Sequence, residues 1–388
     1  MRLLSRLIVI MLITCLVALA LPAVPVEAQD EASIYLSPDD GVPGTEVTVH
    51  GQNFTPGMWV DIYYYLSGSR IWVAEVKADH DGDFQVDFEV PESCTGPHNV
   101  LAKYTEDIWA SDYFTVEPGL TVDPDEGTVG TVVTVEGHGF DKEEEDIELL
   151  YYLNGDYETV AENIEADEDG WWEASFQIPS SARGNHKIDA VGKENDLRDV
   201  HDATFEVTPG IHILDGPSGS IVEKPSGSPG ESITMTGSGF YARDRYIKIL
   251  FAGEEADTEP EIIRADDNGY WEATFEVPEM PSDEYSVTAE GELTKDANLL
   301  SFTIGPGLLL SPDEGHVGMN VTVTGHGFTS DEDVDITYDG SHIETAETDD
   351  KGSFEVSFPV PESKHGAHNV TAEVDGETEA AATFTMES

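Results

Sequence analysis

Cysteine is nearly missing from this chain of 388 residues: there are two, Cys15 and Cys94. Lysine and arginine are scarce as well, 18 together against 79 Asp plus Glu, for a formal net charge of −61 at pH 7. A surface of that sign repels nucleic acid and anionic lipid headgroups, so neither is an expected partner. Sustained helical periodicity is absent after the first 28 residues. No apolar run beyond them reaches the length of a membrane span, so none is expected in the mature chain. The sequence also has no G-x-S-x-G, no H-E-x-x-H and no cysteine pair. Nucleophilic and zinc-hydrolase chemistry therefore find no support, and an enzyme is not expected.

What is present begins with a targeting segment. Arg2 and Arg6 precede an apolar stretch, residues 7–21, broken only by Thr14 and Cys15, and Val26-Glu27-Ala28 forms a small-x-small cleavage site. That order predicts a secretory signal peptide over 1–28, and with it a secreted, extracellular or cell-surface location. Its removal takes away Arg2, Arg6 and Glu27, leaving 16 bases against 78 acids and a net charge of −62. Cys94 is then the sole cysteine, so an intramolecular disulfide is excluded and each domain stands on its core.

One motif recurs four times: V-P-G-T-E-V-T-V-H-G-Q-N-F at 42–54, V-G-T-V-V-T-V-E-G-H-G-F at 129–140, S-P-G-E-S-I-T-M-T-G-S-G-F at 228–240 and V-G-M-N-V-T-V-T-G-H-G-F at 317–328. Each copy reads as a turn, an alternating strand and a Gly-containing bend closed by Phe. The closing Phe residues stand 86, 100 and 88 positions apart, the size of one immunoglobulin-like sandwich. Further alternating runs follow in each copy, for example Val60, Ile62 and Tyr64, then Phe84, Val86 and Phe88 after an Asp-rich turn. The expectation is an all-β chain of four tandem antiparallel sandwiches: repeat 1 over 29–119, repeat 2 over 120–210, repeat 3 over 211–307 and repeat 4 over 308–388. The junctions, such as Glu117-Pro118-Gly119, are a few residues long and leave little freedom, which predicts a semi-rigid rod.

The residues S-P-D-D-G-V-P-G-T-E-V-T-V-H-G-Q-N-F at 37–54, with D-P-D-E-G at 123–127 and S-P-D-E-G at 311–315 opening two further copies, resemble the start of an IPT/TIG domain. Repeat 3 departs from the pattern, with Ser228-Pro229-Gly230 but no close P-x-x-G before it. The later A-D-x-x-G-x-[FW] and G-x-H-x-[VI] pieces are similar to repeat modules of secreted prokaryotic surface proteins. The resemblance covers nearly all of the mature chain. It implies a sandwich that spaces or binds, and it identifies no ligand.

Two residue sets are candidates for a site. The turns Asp79-His80-Asp81-Gly82, Asp167-Glu168-Asp169-Gly170, Asp266-Asp267-Asn268-Gly269 and Asp349-Asp350-Lys351-Gly352 place carboxylates beside a glycine. Asp79, Asp81, Asp167 and Asp169 are the candidate ligands for weak calcium binding. The competing reading is a hairpin turn in which the glycine supplies a positive φ; none of the four has a full calcium-loop spacing, and no cofactor is expected. Aromatic residues that alternate away from the core are the second set: Tyr63, Tyr65 and Trp72 in repeat 1, and Leu150 and Tyr152 in repeat 2. They face an envelope or extracellular polymer or another surface protein, or they pack beneath a neighbouring loop. His98, His186 and His368 recur at one position where repeat 3 has Tyr285, which points to a hydrogen-bonding corner rather than a metal site. The reading is a non-enzymatic secreted or surface rod, structural or adhesive. Carbohydrate- or protein-binding modules, or an accessory subunit of a secreted enzyme, remain as alternatives.

Overall fold

The computed structural model describes residues 31–105, 109–197, 199–216 and 218–387. The expected signal peptide over 1–28 lies outside them. The secondary structure of the described residues is built from strands, and none of it is α-helix.

Repeat 1 shows the plan. Its strands are β1 (Ser33–Ser37), β2 (Asp40–Gly41), β3 (Glu46–Gln52), β4 (Trp59–Leu66), β5 (Ser69–Lys77), β6 (Phe84–Glu89), β7 (Gly96–Lys103) and β8 (Trp109–Val116). One sheet has the order β1-β3-β6 and the other β2-β8-β7-β4-β5. Alternation in β3 and β4 sends Val47, Val49, Val60, Ile62 and Tyr64 into the space between the sheets, where all five are fully buried with Phe114. The other repeats have their own cores of the same kind, centred on Val133 and Tyr151, on Met235 and Phe251, and on Val323 and Tyr338. Cores of this size, one per repeat, replace the single large core that a 388-residue globule would build.

Repeat 1 has eight strands rather than the seven of the simplest immunoglobulin-like sandwich. The first strand splits: β1 pairs antiparallel with β3, while β2 crosses over and pairs in parallel with β8. Two residues carry no periodicity, so β2 leaves no mark in the sequence. Repeat 3 differs more. The stretch after Arg245–Phe251 breaks into Glu254–Glu255, Thr258–Glu259 and Ile263–Arg264, and the middle piece pairs with Trp271–Glu276 of the opposite sheet. Pro260 follows that middle piece and has no N–H for a ladder, which suits a strand that ends there.

Contacts divide the chain into two units, Met1–Pro91 with Gly96–Val116, and Glu92–Thr95 with Glu117–Ser388. The first holds the body of repeat 1; the second holds repeats 2 to 4.

Candidate functional site

The recurring motif turns out to be a packing device. The glycine that opens its bend lies under an aromatic ring of the neighbouring strand: Gly51 under Phe84, Gly137 under Trp172, Gly237 under Trp271 and Gly325 under Phe354. A Cβ on any of the four would stand 2.0–2.1 Å from the ring. The closing Phe of the motif is buried in every copy, and its N–H donates to the glycine carbonyl of the acidic turn: Phe54 to Gly82, Phe140 to Gly170, Phe240 to Gly269 and Phe328 to Gly352. The bend and the acidic turn are thus clamped to each other inside each repeat.

The acidic turns have a structural duty of their own. Asp79 Oδ1 accepts from the N–H groups of Asp81 and Asp83, both at 2.9 Å. Asp167 does the same for Asp169 and Trp171, Asp266 for Asn268 and Tyr270, and Asp349 for Lys351 and Ser353. The N–H groups of Asp83 and Asp81 hold the Asp79 carboxyl below its ordinary pKa. The glycine at the end of each turn sits at positive φ, +86° at Gly82 and +70° at Gly352, and a Cβ there would meet the carbonyl of the clamped Phe. Among the described residues, Asp79, His80 and Asp81 form the one group whose ligand atoms converge; all three are exposed, and Asp167 and Asp169 form no such group.

The histidine corner matches its expected character. His98 stacks on Tyr64, His186 on Tyr151 and His368 on Tyr338, with centroids 5.1–5.2 Å apart. His186 Nε2 bonds the carbonyl of Ala182 at 2.7 Å and His368 Nε2 that of Lys364 at 2.6 Å. In repeat 3 the Tyr285 hydroxyl donates to the carbonyl of Pro281, also four residues earlier, at 3.0 Å. Tyrosine replaces histidine because either ring delivers a polar atom to the same carbonyl. A hydrogen bond from His368 Nδ1 to the Asp339 carboxylate raises the His368 pKa.

Several buried carboxylates are invisible to strand periodicity. Asp244 is fully buried and accepts from the N–H groups of Leu293 at 2.9 Å and of Thr294 at 2.8 Å. Glu144 holds the matching loop of repeat 2 through Glu194 and Asn195. Asp189, also fully buried, receives the Tyr157 hydroxyl at 3.1 Å and Lys187 Nζ at 3.0 Å. Asp244 and Glu144 pin loops to a core, and a glycine beside each of these two makes room: Cβ atoms on Gly192 and Gly291 would strike Glu144 and Asp244.

In the second unit the repeats meet through the same elements each time. The Arg183 N–H donates to the carbonyl of Phe240, the Ser282 N–H to that of Phe328, and the Thr95 N–H to that of Phe140, at 2.9–3.1 Å. The histidines of the two G-H-G-F bends face a glutamate: His138 bonds Glu92 at 2.8 Å and His326 lies 3.5 Å from Glu279. Where the bend has Ser238, position 180 is also Ser, and the joint uses Arg183 instead. Arg183 pairs with Asp296 and lies 5.2 Å from the Tyr241 ring centroid. That division explains why histidine and serine alternate in the bend.

The outward residues of repeat 1 gather on the five-stranded sheet. Cross-strand pairing sets Trp59 beside Lys77, Tyr63 beside Trp72, Tyr65 beside Arg70, Asn99 beside Tyr113 and Lys103 beside Trp109. Trp59, Trp72 and Tyr113 are 57–58% exposed and Tyr65 42%. The Arg70 guanidinium lies 5.0 Å from the Trp109 ring centroid and 5.9 Å from that of Tyr63, and Lys103 Nζ lies 5.0 Å from Trp109. Asp61 on the same face accepts from Trp72 Nε1 at 3.4 Å. Repeat 2 is different, and one candidate there is corrected. Leu150 is not outward and free but 7% exposed, in a row with Thr159 and the buried Asp189, whose network with Tyr157 and Lys187 occupies that face. Tyr152 is 40% exposed, with its ring edge-on to Tyr157.

Residues 309–386 match the IPT/TIG domain family. Among solved structures the chain is similar to a tetra-tandem repeat in the extending region of a large adhesion protein, at 14% identity over 92% of this chain and 99% of that one, with a TM-score of 0.24. It is also similar to invasin, a bacterial integrin-binding protein, at 12% identity over 92% and 78% of the two chains, TM-score 0.21. A third likeness is SGBP-B of Bacteroides ovatus in complex with mixed-linkage heptasaccharide, at 10% identity over 83% and 87%, TM-score 0.25. Likenesses this distant carry no functional argument. No curated protein matches the chain. The recurring motif and the paired sheets run through the chain: it is a tandem array of repeats with the immunoglobulin-like fold, similar to IPT/TIG domains, and its residues 309–386 match that family.

Proposed function

We propose that the chain is a non-enzymatic, secreted or cell-surface protein in which the tandem repeats act as a structural or adhesive rod. The joint of the second unit carries this reading. The same backbone hydrogen bond, from the turn after the sixth strand of one repeat to the closing Phe of the next, recurs at Phe240 and Phe328. It is reinforced by Arg183–Asp296 at one joint and by Glu279 with Lys351 at the other. A linker of a few residues with a fixed contact beside it sets spacing and orientation together. The 79 acidic residues keep such an array soluble and discourage lateral collapse.

Small-angle scattering of the full secreted chain tests the proposal. A compact chain of this length has a radius of gyration of about 21 Å. A value well above that, with a cross-section one sandwich wide, is expected; a value near it refutes the rod. Arg183→Ala should broaden the distribution of end-to-end distances without unfolding repeats 2 and 3.

A further inference from the structure

We propose that the outer face of the five-stranded sheet of repeat 1 binds an uncharged polysaccharide, a role separate from spacing and independent of the rod. Six rings stand on that one face: Trp59, Tyr63, Tyr65, Trp72, Trp109 and Tyr113. The face therefore holds three of the six tryptophans of the whole chain. Trp59 and Tyr65 are six residues apart on one strand, so the platform runs for about 20 Å. Rings on a sheet offer flat surfaces to the C–H faces of sugars, and each loses only two side-chain torsions on binding.

Charge decides which polymer. Repeat 1 has three bases, Arg70, Lys77 and Lys103, and all three stand on this face. Asp61 and Glu75 stand among them. The platform is thus close to neutral in a chain of net charge −61. Among the described residues Arg70 and Lys77 form no ion pair, and Arg70 is held by the rings of Tyr63 and Trp109. In a protein with so many carboxylates, an arginine kept on aromatic faces still has its N–H fork to give. Asn99, paired with Tyr113, keeps a side-chain carbonyl oxygen that is buried without a hydrogen-bond partner. Donors and acceptors in near balance suit sugar hydroxyls, which both give and accept. A polyanion would be repelled by the rest of the chain.

The test uses the full chain in affinity electrophoresis through gels containing soluble starch, hydroxyethyl cellulose or mixed-linkage β-glucan, with alginate as the anionic comparison. Retardation by at least one neutral polymer is expected. Trp72→Ala should weaken it about tenfold or more, the scale of losing one well-packed ring. Arg70→Ala should weaken it as well, and Tyr152→Ala in repeat 2 should not. Trp72 is exposed, so the variant should keep the hydrogen-exchange protection of β3 and β7, and this is checked in parallel. No retardation in any neutral gel overturns the proposal, as does retardation by alginate alone. A concentration-dependent dimer that Trp72→Ala dissociates, without glycan binding, reassigns the face to self-association and also overturns it.

Discussion

Gly137 offers the sharpest test of how the recurring motif works. Its Cα lies under Trp172, and an added Cβ would stand 2.0 Å from Cε2 and 2.2 Å from Nε1 of the ring. Ordinary contact between carbons begins near 3.5 Å, so the ring would have to retreat by about 1.5 Å. It has little room to do so, because Trp172 is 2% exposed and Phe140 packs edge-on with its centroid 5.4 Å away. Gly137→Ala should cost about 1–3 kcal/mol through overpacking, less about 0.5–1 kcal/mol regained from the stiffer unfolded chain. Trp172→Ala should cost about 3–5 kcal/mol by leaving a cavity. The two changes together should cost clearly less than their sum, since the new methyl enters the space the indole leaves, with a coupling of about 1–3 kcal/mol. A chain of several repeats does not unfold in two states, so a global melt would blur the effect. Hydrogen exchange of residues 132–138, followed across urea concentration, reads the opening of repeat 2 alone. Additive costs, within about 0.5 kcal/mol, would refute the idea that the glycine exists to seat the ring.

Three further outcomes follow from the geometry. Trp172 and Trp271 bury Nε1 without a partner, whereas repeats 1 and 4 seat Phe84 and Phe354 on the matching glycines. Trp271→Phe should therefore fall within about 1 kcal/mol of neutral, because removing an unsatisfied donor offsets the lost area; a loss above about 3 kcal/mol by the same exchange measurement contradicts this. At Asp244 burial is the largest influence and raises the pKa, but the hydrogen bonds from the Leu293 N–H, the Thr294 N–H and hydroxyl, and the Arg245 N–H together outweigh it and leave the carboxyl below its ordinary 3.8. Its contribution is present above that value and is lost as pH falls through the lower folded one, so repeat 3 should lose protection in acid, and Asp244→Asn should flatten that dependence while lowering stability at pH 7. For His368 the sign is opposite: the bond to Asp339 raises its pKa above 6.5, so its stabilisation is complete below 6.5 and fades as pH rises through the folded value. His368→Tyr should keep repeat 4 folded and remove that fading, as Tyr285 already does in repeat 3, whereas His368→Ala should cost about 1–2 kcal/mol; equal losses for the two would count against the corner.

Much of the fold was readable because each core strand alternates and each repeat shows the pattern again. Val60, Ile62 and Tyr64 face inward as their spacing says, and the Asp-Gly turns fall where they were expected. Tyr285 in place of histidine is itself a sign of a shared hydrogen bond, since either ring can reach the carbonyl four residues earlier. The misses have one physical origin, since periodicity along a strand says nothing about what lies across from it. Leu150 alternates outward yet is covered, because its neighbours carry a buried ionic network that appears only when Asp189 and Tyr157 are brought together. Tyr63, Tyr65 and Trp72 were legible one by one, but their union with Arg70, Lys103 and Tyr113 depends on the register of four strands. The partnership of Glu279 with His326 joins residues 47 positions apart in different repeats, and no local signal announces it.

Asn53 makes the order of the repeats matter. It adopts φ +62°, the conformation of Gly139, Gly239 and Gly327 at the same place in the other copies. At Gly239 a Cβ would come within 2.5 Å of the Thr208 carbonyl, and at Gly327 within 2.5 Å of the Gly305 carbonyl, both from the linker just upstream. A side chain at this spot is compatible with an exposed bend and incompatible with a linker pressed against it. The modules are consequently not interchangeable beads. Moved behind another repeat, the first would need Asn53→Gly to close the seam, whereas a glycine at this spot, as in each of the three later modules, suits an open bend as well as a covered one. A one-residue difference thus works as a rule of grammar for anyone who would shuffle, lengthen or graft this array.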